Sequence, residues 1–306
     1  MQYHDNILSI IGNTPLVKIN FESRAAIYAK LEYLNPGGSI KDRSALAMIE
    51  DAERQGMLRP NGTIIEASSG NQGIALAMIG AIKKYRVIIT VSEKASAEKK
   101  NTILAYGAEL VVCPAVERYD DPQGCWAVAK RLAHETPGSF MPDQHFNFTN
   151  VEAHYRSTGP EVWRQTGGRL THFFAAAGTA GTISGTGKYL KKKNPKVKVF
   201  GVDAAHSYFS TKGNPKPYQI EGMGIDHDTP ILNLEVIDKM IPITDKQALR
   251  MLKVMAKKFG LLMGPSSGAV AYAVRQYARK LAKDDLAVFI IADSGRAYLT
   301  KNYYSN

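Results

Sequence analysis

The chain has 306 residues, 44% of them hydrophobic, and a formal net charge of +11. This length and ordinary globular composition are sufficient for a large buried core and argue against a mainly disordered protein. No apolar run approaches the roughly 18 residues of a membrane-spanning helix, and the N-terminus lacks an apolar signal region. We therefore expect a soluble, cytoplasmic protein without a membrane partner.

The positive charge is spread along the chain. Its densest cluster, at 188–198, straddles the predicted end of a helix, where cations interact favourably with the helix dipole. We interpret this cluster as a solvated helix face and expect no nucleic-acid partner. Cys113 and Cys125 form neither a CxxC nor a metal-ligand pattern, so we predict no metal site and no disulfide framework.

Apolar runs of strand length alternate along the chain with segments of helical periodicity, which is typical of βαβ units. The first series has strands at 26–34, 63–67, 86–91 and 109–112, and helices from about 42 and at 72–84, 94–106 and 121–134. The second has strands at 172–176, 197–203, 261–263 and 286–292, and helices at 151–165, 182–192, 245–259 and 267–281. Two α/β sheets are predicted, with the strands at 63–67, 86–91 and 109–112 buried and parallel.

The stretch 35–43 reads Asn-Pro-Gly-Gly-Ser-Ile-Lys-Asp-Arg and lies between a predicted strand and a predicted helix. A lysine at such a turn is directed into a cleft, and desolvation would lower its pKa. Lys41 is therefore a candidate for a Schiff base with an aldehyde cofactor. The alternative is that Gly37 and Gly38 only form a loop and that Lys41 is a solvated charge.

The stretch 68–73, Ser-Ser-Gly-Asn-Gln-Gly, also joins a predicted strand to a predicted helix. Its hydroxyl groups, amide side chain and backbone N–H groups at a helix N-terminus suit a carboxylate or another anion. A helix cap with a turn is the alternative.

The stretch 178–182, Gly-Thr-Ala-Gly-Thr, has the same placement, and its density of donors predicts a phosphate site. It matches neither GxGxxG nor a Walker loop, which argues against dinucleotide or ATP binding. The stretch 264–268, Gly-Pro-Ser-Ser-Gly, repeats the placement, although a serine there is usually an N-cap.

Together and in this order, the four stretches resemble the fold type II pyridoxal-phosphate enzymes of the cysteine synthase and cystathionine β-synthase group. The resemblance covers residues 6–301. It implies an α/β fold with two open twisted sheets flanked by helices, like that of the tryptophan synthase β-subunit. It also implies pyridoxal 5′-phosphate as the cofactor, a small movable domain at 46–148, and a large cofactor-binding domain formed by 1–45 and 149–306.

The resemblance also implies roles for individual residues. Lys41 would hold the cofactor's aldehyde and act as the catalytic base, Asn71 would bond its ring hydroxyl, and Ser266 would meet its ring nitrogen. The phosphate would be held by Gly178, Thr179, Ala180, Gly181 and Thr182. The substrate would be bound by Ser68, Ser69, Gln72, Gln144 and Gly222. Gln72 replaces the family's usual threonine and Ala180 its usual glycine, and the stretch 145–148 also departs from the family pattern, so the substrate stays open.

By this resemblance the chain would catalyse β-elimination or β-replacement on serine, cysteine or an O-activated serine through an aminoacrylate intermediate. A thiol, sulfide or water would be the second reactant, hydrogen sulfide could be released, and the enzyme would be a homodimer. A 2,3-diaminopropionate synthase with an amine nucleophile stays an alternative. So does a non-catalytic partner-binding protein of the same fold, although such a scaffold needs no Lys41, Asn71 or Ser266.

Asp226 follows Gly224 in the loop Glu-Gly-Met-Gly-Ile-Asp. A solvated loop carboxylate is one interpretation. The other is a catalytic residue that supplies a proton to a poor leaving group or positions a water molecule. The end of the chain, 293–301, resembles cystathionine β-synthases more than plain sulfhydrylases. The haem-binding and regulatory segments of some relatives have no counterpart, so we expect no control through them.

Overall fold

The computed structural model describes Met1 and residues 3–68, 70–116 and 121–305. The strands are β1 Leu16–Lys18, β2 Ala26–Leu31, β3 Thr63–Ala67, β4 Arg86–Ser92, β5 Glu109–Cys113, β6 Ser139–Phe140, β7 His172–Ala176, β8 Lys198–Ala204, β9 Lys239–Ile243 and β10 Leu286–Ile291. The α-helices are α1 Lys41–Arg54, α2 Asn71–Lys83, α3 Ala97–Ala105, α4 Cys125–Glu135, α5 Thr149–Arg156, α6 Thr158–Gln165, α7 Gly181–Lys193, α8 Asp245–Phe259 and α9 Pro265–Ala278. Short 3₁₀ helices cover Ile7–Ile10, Glu32–Leu34, Leu234–Val236 and Gly295–Lys301.

Two open sheets are flanked by these helices, which confirms the predicted fold class. A six-stranded sheet has the order β1-β2-β10-β7-β8-β9, and a four-stranded sheet has the order β5-β4-β3-β6. All pairings are parallel except that of β1 with β2. The smaller sheet lies entirely between Thr63 and Phe140, and the chain on either side of it forms the larger one. The domain boundaries at 46 and 148 stay a prediction.

The central strand β10 shows why the larger sheet needs helices on both faces. Every residue of β10 is buried. Successive side chains of a strand point to opposite faces, so Phe289 and Ile291 join the core beneath α8 and α9, while Val288 and Ile290 join the core beneath α6 and α7. Such a continuous apolar run is typical of a parallel strand that is covered on both sides.

Several predicted elements differ from the structure. The strands β1, β6 and β9 were not predicted, and the first two have three and two residues. The strand predicted at 261–263 is wrong, because only an isolated bridge joins Met263 to Ser294 there. The segment 109–112 is parallel, but it is not buried as predicted: β5 lies at the sheet edge and Val112 is 54% exposed.

The helix predicted at 151–165 is two helices, α5 and α6, separated at Ser157. Pro160 has no N–H to donate, and its ring clashes with the carbonyl four residues earlier in a continuous helix. Ser157 accordingly leaves the helical region, with φ −120° and ψ −71°. Two other helices start three and four residues later than predicted, after the caps Ser96 and Gly124.

Within the described ranges, no helix combines the length and the apolar character that crossing a membrane requires.

Candidate active site

A cleft of about 730 Å³, including its open mouth, lies at the carboxyl ends of parallel strands from both sheets. Ligands bind at this edge in open α/β sheets because the loops there converge. The cleft brings together most of the residues that the sequence singled out: Lys41, Ser68, Asn71, Gln72, Gln144, Gly178, Thr179, Ala180, Thr182, Gly222 and Ser266. Gly181 is buried beside the cleft at the start of α7, Asp226 is not part of the lining, and Ser69 lies outside the described residues.

Lys41 is the first residue of α1, and its Nζ lies 3.4 Å from Thr179 Oγ1. Burial lowers the pKa of Lys41 to about 8, although the charges of Glu66 and Asp293 oppose this shift. The turn before it requires a glycine: Gly37 N donates to Asp42 Oδ2 at 2.6 Å, and a Cβ on Gly37 would lie 2.4 Å from Asp42 Oδ1. The local turn therefore presents an amine that can exchange a proton near neutral pH.

A buried ion network lies next to this turn. Arg43 Nε lies 2.7 Å from Glu32 Oε2, and Arg43 Nη1 lies 2.7 Å from Glu161 Oε1. Lys30 Nζ lies 2.9 Å from Glu161 Oε2. Burial alone would raise the pKa of Glu161, but the hydrogen bond and the charge of Arg43 lower it to about 2. The network ties the start of α1 to β2 and α6, so it fixes the position from which Lys41 projects.

The backbone of 178–183 forms an anion cup at the N-terminus of α7. Its amides make no hydrogen bond to any described residue. Ala180 has a left-handed backbone, with φ 67°, and makes no side-chain cap. A Cβ on Gly178 would lie only 3.0 Å from Gly222 O, so the backbone itself forms the surface there. Unpaired amides at a helix N-terminus suit a phosphate dianion.

The side chains around this cup are oriented to donate. Thr179 Oγ1 accepts hydrogen bonds from Asn150 Nδ2 at 3.1 Å and from Lys41 Nζ at 3.4 Å, which leaves its own proton for a ligand. His154 lies between Thr158 and Thr182, with its Nε2 3.2 Å from Thr182 Oγ1. Burial, together with the positive charges nearby, holds the pKa of His154 well below its usual range, so the ring is neutral. Asn150 and His154 were not predicted from the sequence.

The loop after β3 forms the opposite wall. Ser68 Oγ accepts hydrogen bonds from the N–H groups of Gly70 and Gly73, both at 3.0 Å. Gln72 Nε2 and Gln144 Oε1 are buried and have no hydrogen-bond partner among the described residues. Because an unsatisfied buried polar group costs about 1–3 kcal/mol, these two amides are suited to a polar ligand that enters the cleft.

The cleft contains a second lysine, Lys99, which was not predicted from the sequence. Lys99 of α3 is 1% exposed, pairs with Glu221 at 3.0 Å, and has its Nζ 4.1 Å from the centroid of the Tyr298 ring. The Tyr298 hydroxyl donates to Asp293, which also accepts from Asn71 Nδ2 at 2.7 Å. In the sequence Lys99 stands beside Lys100 and is indistinguishable from a solvated helix charge. The network links a helix of the smaller sheet to the end of the chain.

Glu66 was not predicted from the sequence either, although it is the charged residue of the buried strand β3. Its carboxylate accepts the N–H of Asp143 at 2.8 Å. Burial, followed by the Asp143 charge, raises the pKa of Glu66 to about 8. Glu66 therefore supports the loop that carries Gln144.

Asp226 is exposed to solvent overall. One oxygen of its carboxylate, Oδ2, nevertheless accepts a hydrogen bond from the Tyr218 hydroxyl at 2.6 Å. Partial burial raises the pKa of Asp226, whereas the Tyr218 hydrogen bond opposes the rise. Gly224 between them has φ 113°. The structure thus puts Asp226 on the loop that follows the cleft wall at Gly222 and outside the lining itself.

Known proteins are similar to this chain in sequence and in fold. A family model described as pyridoxal-phosphate dependent enzyme matches residues 7–293. Cysteine synthase from Staphylococcus aureus is 42% identical over 98% of this chain and 97% of its own length. Cystathionine β-synthase from Apis mellifera is 41% identical over 97% of this chain, which spans only 60% of that protein. The crystal structure of a hydrogen sulfide-producing enzyme from Fusobacterium nucleatum has a TM-score of 0.92 and 36% identity, over 97% of this chain and all of that one.

The chain belongs to the family of pyridoxal-phosphate dependent enzymes. Within it, the chain is a homologue of cysteine synthases and cystathionine β-synthases, so the resemblance inferred from the four stretches is confirmed. The described residues fit the cofactor, because a cup of unpaired amides lies beside a lysine whose pKa is lowered to about 8.

Proposed function

We propose that this enzyme catalyses β-elimination and β-replacement on a three-carbon amino acid, with serine or cysteine preferred over O-acetylserine as the donor. The observation that carries the proposal is that one cleft contains Lys41, with its lowered pKa, together with two buried side-chain amide atoms, Gln72 Nε2 and Gln144 Oε1, that have no partner among the described residues. The cysteine synthase, cystathionine β-synthase and hydrogen sulfide-producing relatives support this class of reaction.

Four features of the cleft would hold the cofactor. We assign its phosphate to the cup at 178–182, its aldehyde to Lys41, its ring hydroxyl to Asn71 and its ring nitrogen to Ser266. When bound, pyridoxal phosphate supplies an electron sink for the charge that develops at the substrate Cα. Ser266 is a neutral partner, so it does not enforce protonation of the ring nitrogen.

The remaining cleft residues bind and orient the substrate. Ser68 Oγ already accepts two backbone hydrogen bonds, so its proton is left for the substrate carboxylate. The unpaired Gln72 Nε2 is a second donor to that carboxylate. Lys41 Nζ, with a pKa of about 8, accepts the α proton when neutral. In its protonated form it can return a proton to a departing hydroxide or hydrosulfide.

We also propose that 46–148 moves as a unit to close the cleft. Among the described residues, three hydrogen bonds connect α3 and its cap to the end of the chain. Ser96 Oγ donates to Ala297 O at 2.7 Å, and the N–H and Oγ1 of Thr300 donate to the Glu98 carboxylate at 2.7 and 2.6 Å. Together with the pair of Lys99 and Glu221, these contacts would have to break when the cleft opens and form again when it closes.

The test is to incubate the purified holoenzyme with serine, cysteine, O-acetylserine or O-phosphoserine, with and without sulfide. Cofactor spectra and product identification should show turnover of serine or cysteine, with sulfide released from cysteine. A Lys41→Ala enzyme is the control for background reaction. Exclusive turnover of an O-activated serine would refute the preferred donor, and a 2,3-diaminopropionate product with an amine would favour the alternative synthase.

A further inference from the structure

A groove on the surface of the larger sheet's helical layer takes no part in the chemistry proposed above. It lies between α8 and α9 and encloses about 550 Å³, including its open side. It is lined by Arg250, Met251, Val254, Tyr272, Arg275, Gln276 and Arg279. Three lining residues of α9, Tyr272, Arg275 and Gln276, and its C-cap Arg279 are spaced i, i+3, i+4 and i+7, so they lie on one face of that helix. None of the seven lining residues is acidic.

The three arginines of the groove are exposed and unpaired. Within the part of the chain that the structure describes, none of their guanidinium groups has a carboxylate within ion-pair distance or a hydrogen-bond acceptor. Two of them, Arg275 and Arg279, lie at the C-terminal end of α9, where the helix dipole favours cations. Arg250 lies in the middle of α8, so the dipole does not account for it. Three like charges around one concavity repel each other unless an anion lies between them.

The floor of the groove is less polar than its rim. Met251 is buried, Val254 and Tyr272 are half-buried, and the Tyr272 hydroxyl accepts from Gln247 Nε2 at 3.4 Å. A guanidinium is a planar fork of donors that matches the oxygens of a phosphate group in pairs. Three forks that each pair with two oxygens can engage two linked phosphate groups at once. The apolar floor can in addition cover the flat side of a ring.

From this geometry we propose that the α8–α9 groove binds a small ligand with two linked phosphate groups, such as pyrophosphate or a nucleoside diphosphate. The groove shares no residue with the cofactor cup at 178–182. The two are nevertheless connected by α9, which begins with Pro265 and Ser266 at the cleft and carries Arg275 and Arg279 near its other end.

The test is isothermal titration calorimetry of the cofactor-saturated holoenzyme with pyrophosphate and, separately, with ADP, at constant ionic strength. Saturating the cofactor cup prevents the titrant from binding there. The test variant is Arg275→Gln with Arg279→Gln. The matched control is Arg24→Gln with Arg59→Gln, which also removes two exposed guanidinium groups without a partner.

We expect one saturable site per chain, an affinity reduced at least about tenfold in the groove variant, and an unchanged affinity in the control. Tighter binding of ADP than of pyrophosphate would identify a nucleotide as the ligand, and equal binding would identify the inorganic anion. Equal losses in the two variants would attribute binding to net charge and overturn the proposal. So would the absence of saturable binding of both titrants.

Discussion

Lys41 and Arg43 are two residues apart, yet the surroundings of the two cations are opposite. The Arg43 guanidinium is 2% exposed and bonded to two carboxylates, so every charge in its network has a partner. Lys41 points into a cleft, where, among the described residues, its Nζ makes one hydrogen bond, to the Thr179 hydroxyl at 3.4 Å. A buried cation such as Arg43, whose ion pairs and hydrogen bonds are complete, stabilises the fold. A buried amine without a carboxylate partner, such as Lys41, remains available for chemistry, and the lowered pKa of Lys41 follows from its burial.

The largest effect on activity should come from removing the amine of Lys41. In Lys41→Ala we expect loss of the visible absorbance of bound cofactor, and turnover at least about 10²–10⁴-fold slower because the proton acceptor is gone. Absorption spectra and steady-state rates measure both. Lys257→Ala, an exposed lysine of α8, is the control and should behave like the wild type. Wild-type turnover in Lys41→Ala would contradict the assignment of Lys41 as the reactive amine.

The next effect tests the cup beside Lys41. The double variant Gly178→Asp, Thr182→Val adds bulk and negative charge next to a dianion and removes a donor, so cofactor affinity should fall about tenfold or more. Cofactor content after extensive dialysis is the measurement, and circular dichroism checks the fold. Thr182→Ser, which keeps the hydroxyl, should retain its cofactor. Undiminished cofactor in the double variant would show that the phosphate lies elsewhere.

Removing Arg43, the cation that has carboxylate partners, should lower the stability of the fold. Arg43→Met leaves Glu32 and Glu161 buried without their main counter-ion, and losing one partner of a buried pair costs about 3–5 kcal/mol. Chemical denaturation of the cofactor-bound protein gives this difference. Arg86→Met is the matched control, since the Arg86–Glu109 pair is about half exposed and should contribute little. Similar losses in both variants would contradict the structural role of the network.

A smaller effect concerns the pH dependence that Glu66 creates. Its pKa is raised from 4.5 to about 8, so between these values the folded protein holds more protons than the unfolded chain. Stability contributed by Glu66 is therefore present below about pH 4.5 and lost as the pH rises through 8. In cofactor-free protein, Glu66→Gln should flatten the decline of the free energy of unfolding across this window. An unchanged slope would mean that Glu66 is ionised throughout.

The smallest effect should come from Asp226, which lies outside the cleft lining. Asp226→Asn keeps an acceptor for Tyr218 but removes the charge. We expect a several-fold lower kcat with serine and cysteine, whose leaving groups need a proton, and no change with O-acetylserine. Steady-state kinetics with the three donors distinguishes these cases. If the variant kept the wild-type rate with all three donors, Asp226 would have only a structural role.

Local sequence predicted the parts of the site that lie at strand-to-helix turns, because glycines, hydroxyl groups and a lysine at such turns have a physical meaning on their own. Lys41, Gln72 and the cup at 178–182 are of this kind. Lys99 and Glu66 could not be recognised, since their burial depends on segments far away in the chain. The helix break at Ser157 could have been predicted from Pro160. The edge position of β5 could not, because it depends on which strands fail to pair beside it.

The position of β10 has a consequence for how the protein is made. Its register pairs Ala26 with Leu286, so β1 and β2 reach the rest of the larger sheet only through the last strand of the chain. The smaller sheet, by contrast, is complete once Phe140 has been synthesised. Until β10 has been synthesised, the backbone edge of β2 that faces the rest of the larger sheet has no strand to pair with. Such long-range parallel pairing is slow and leaves an open edge exposed to aggregation. We therefore expect the larger sheet, and the cleft at its carboxyl edge, to be completed only when β10 pairs with β2 and β7.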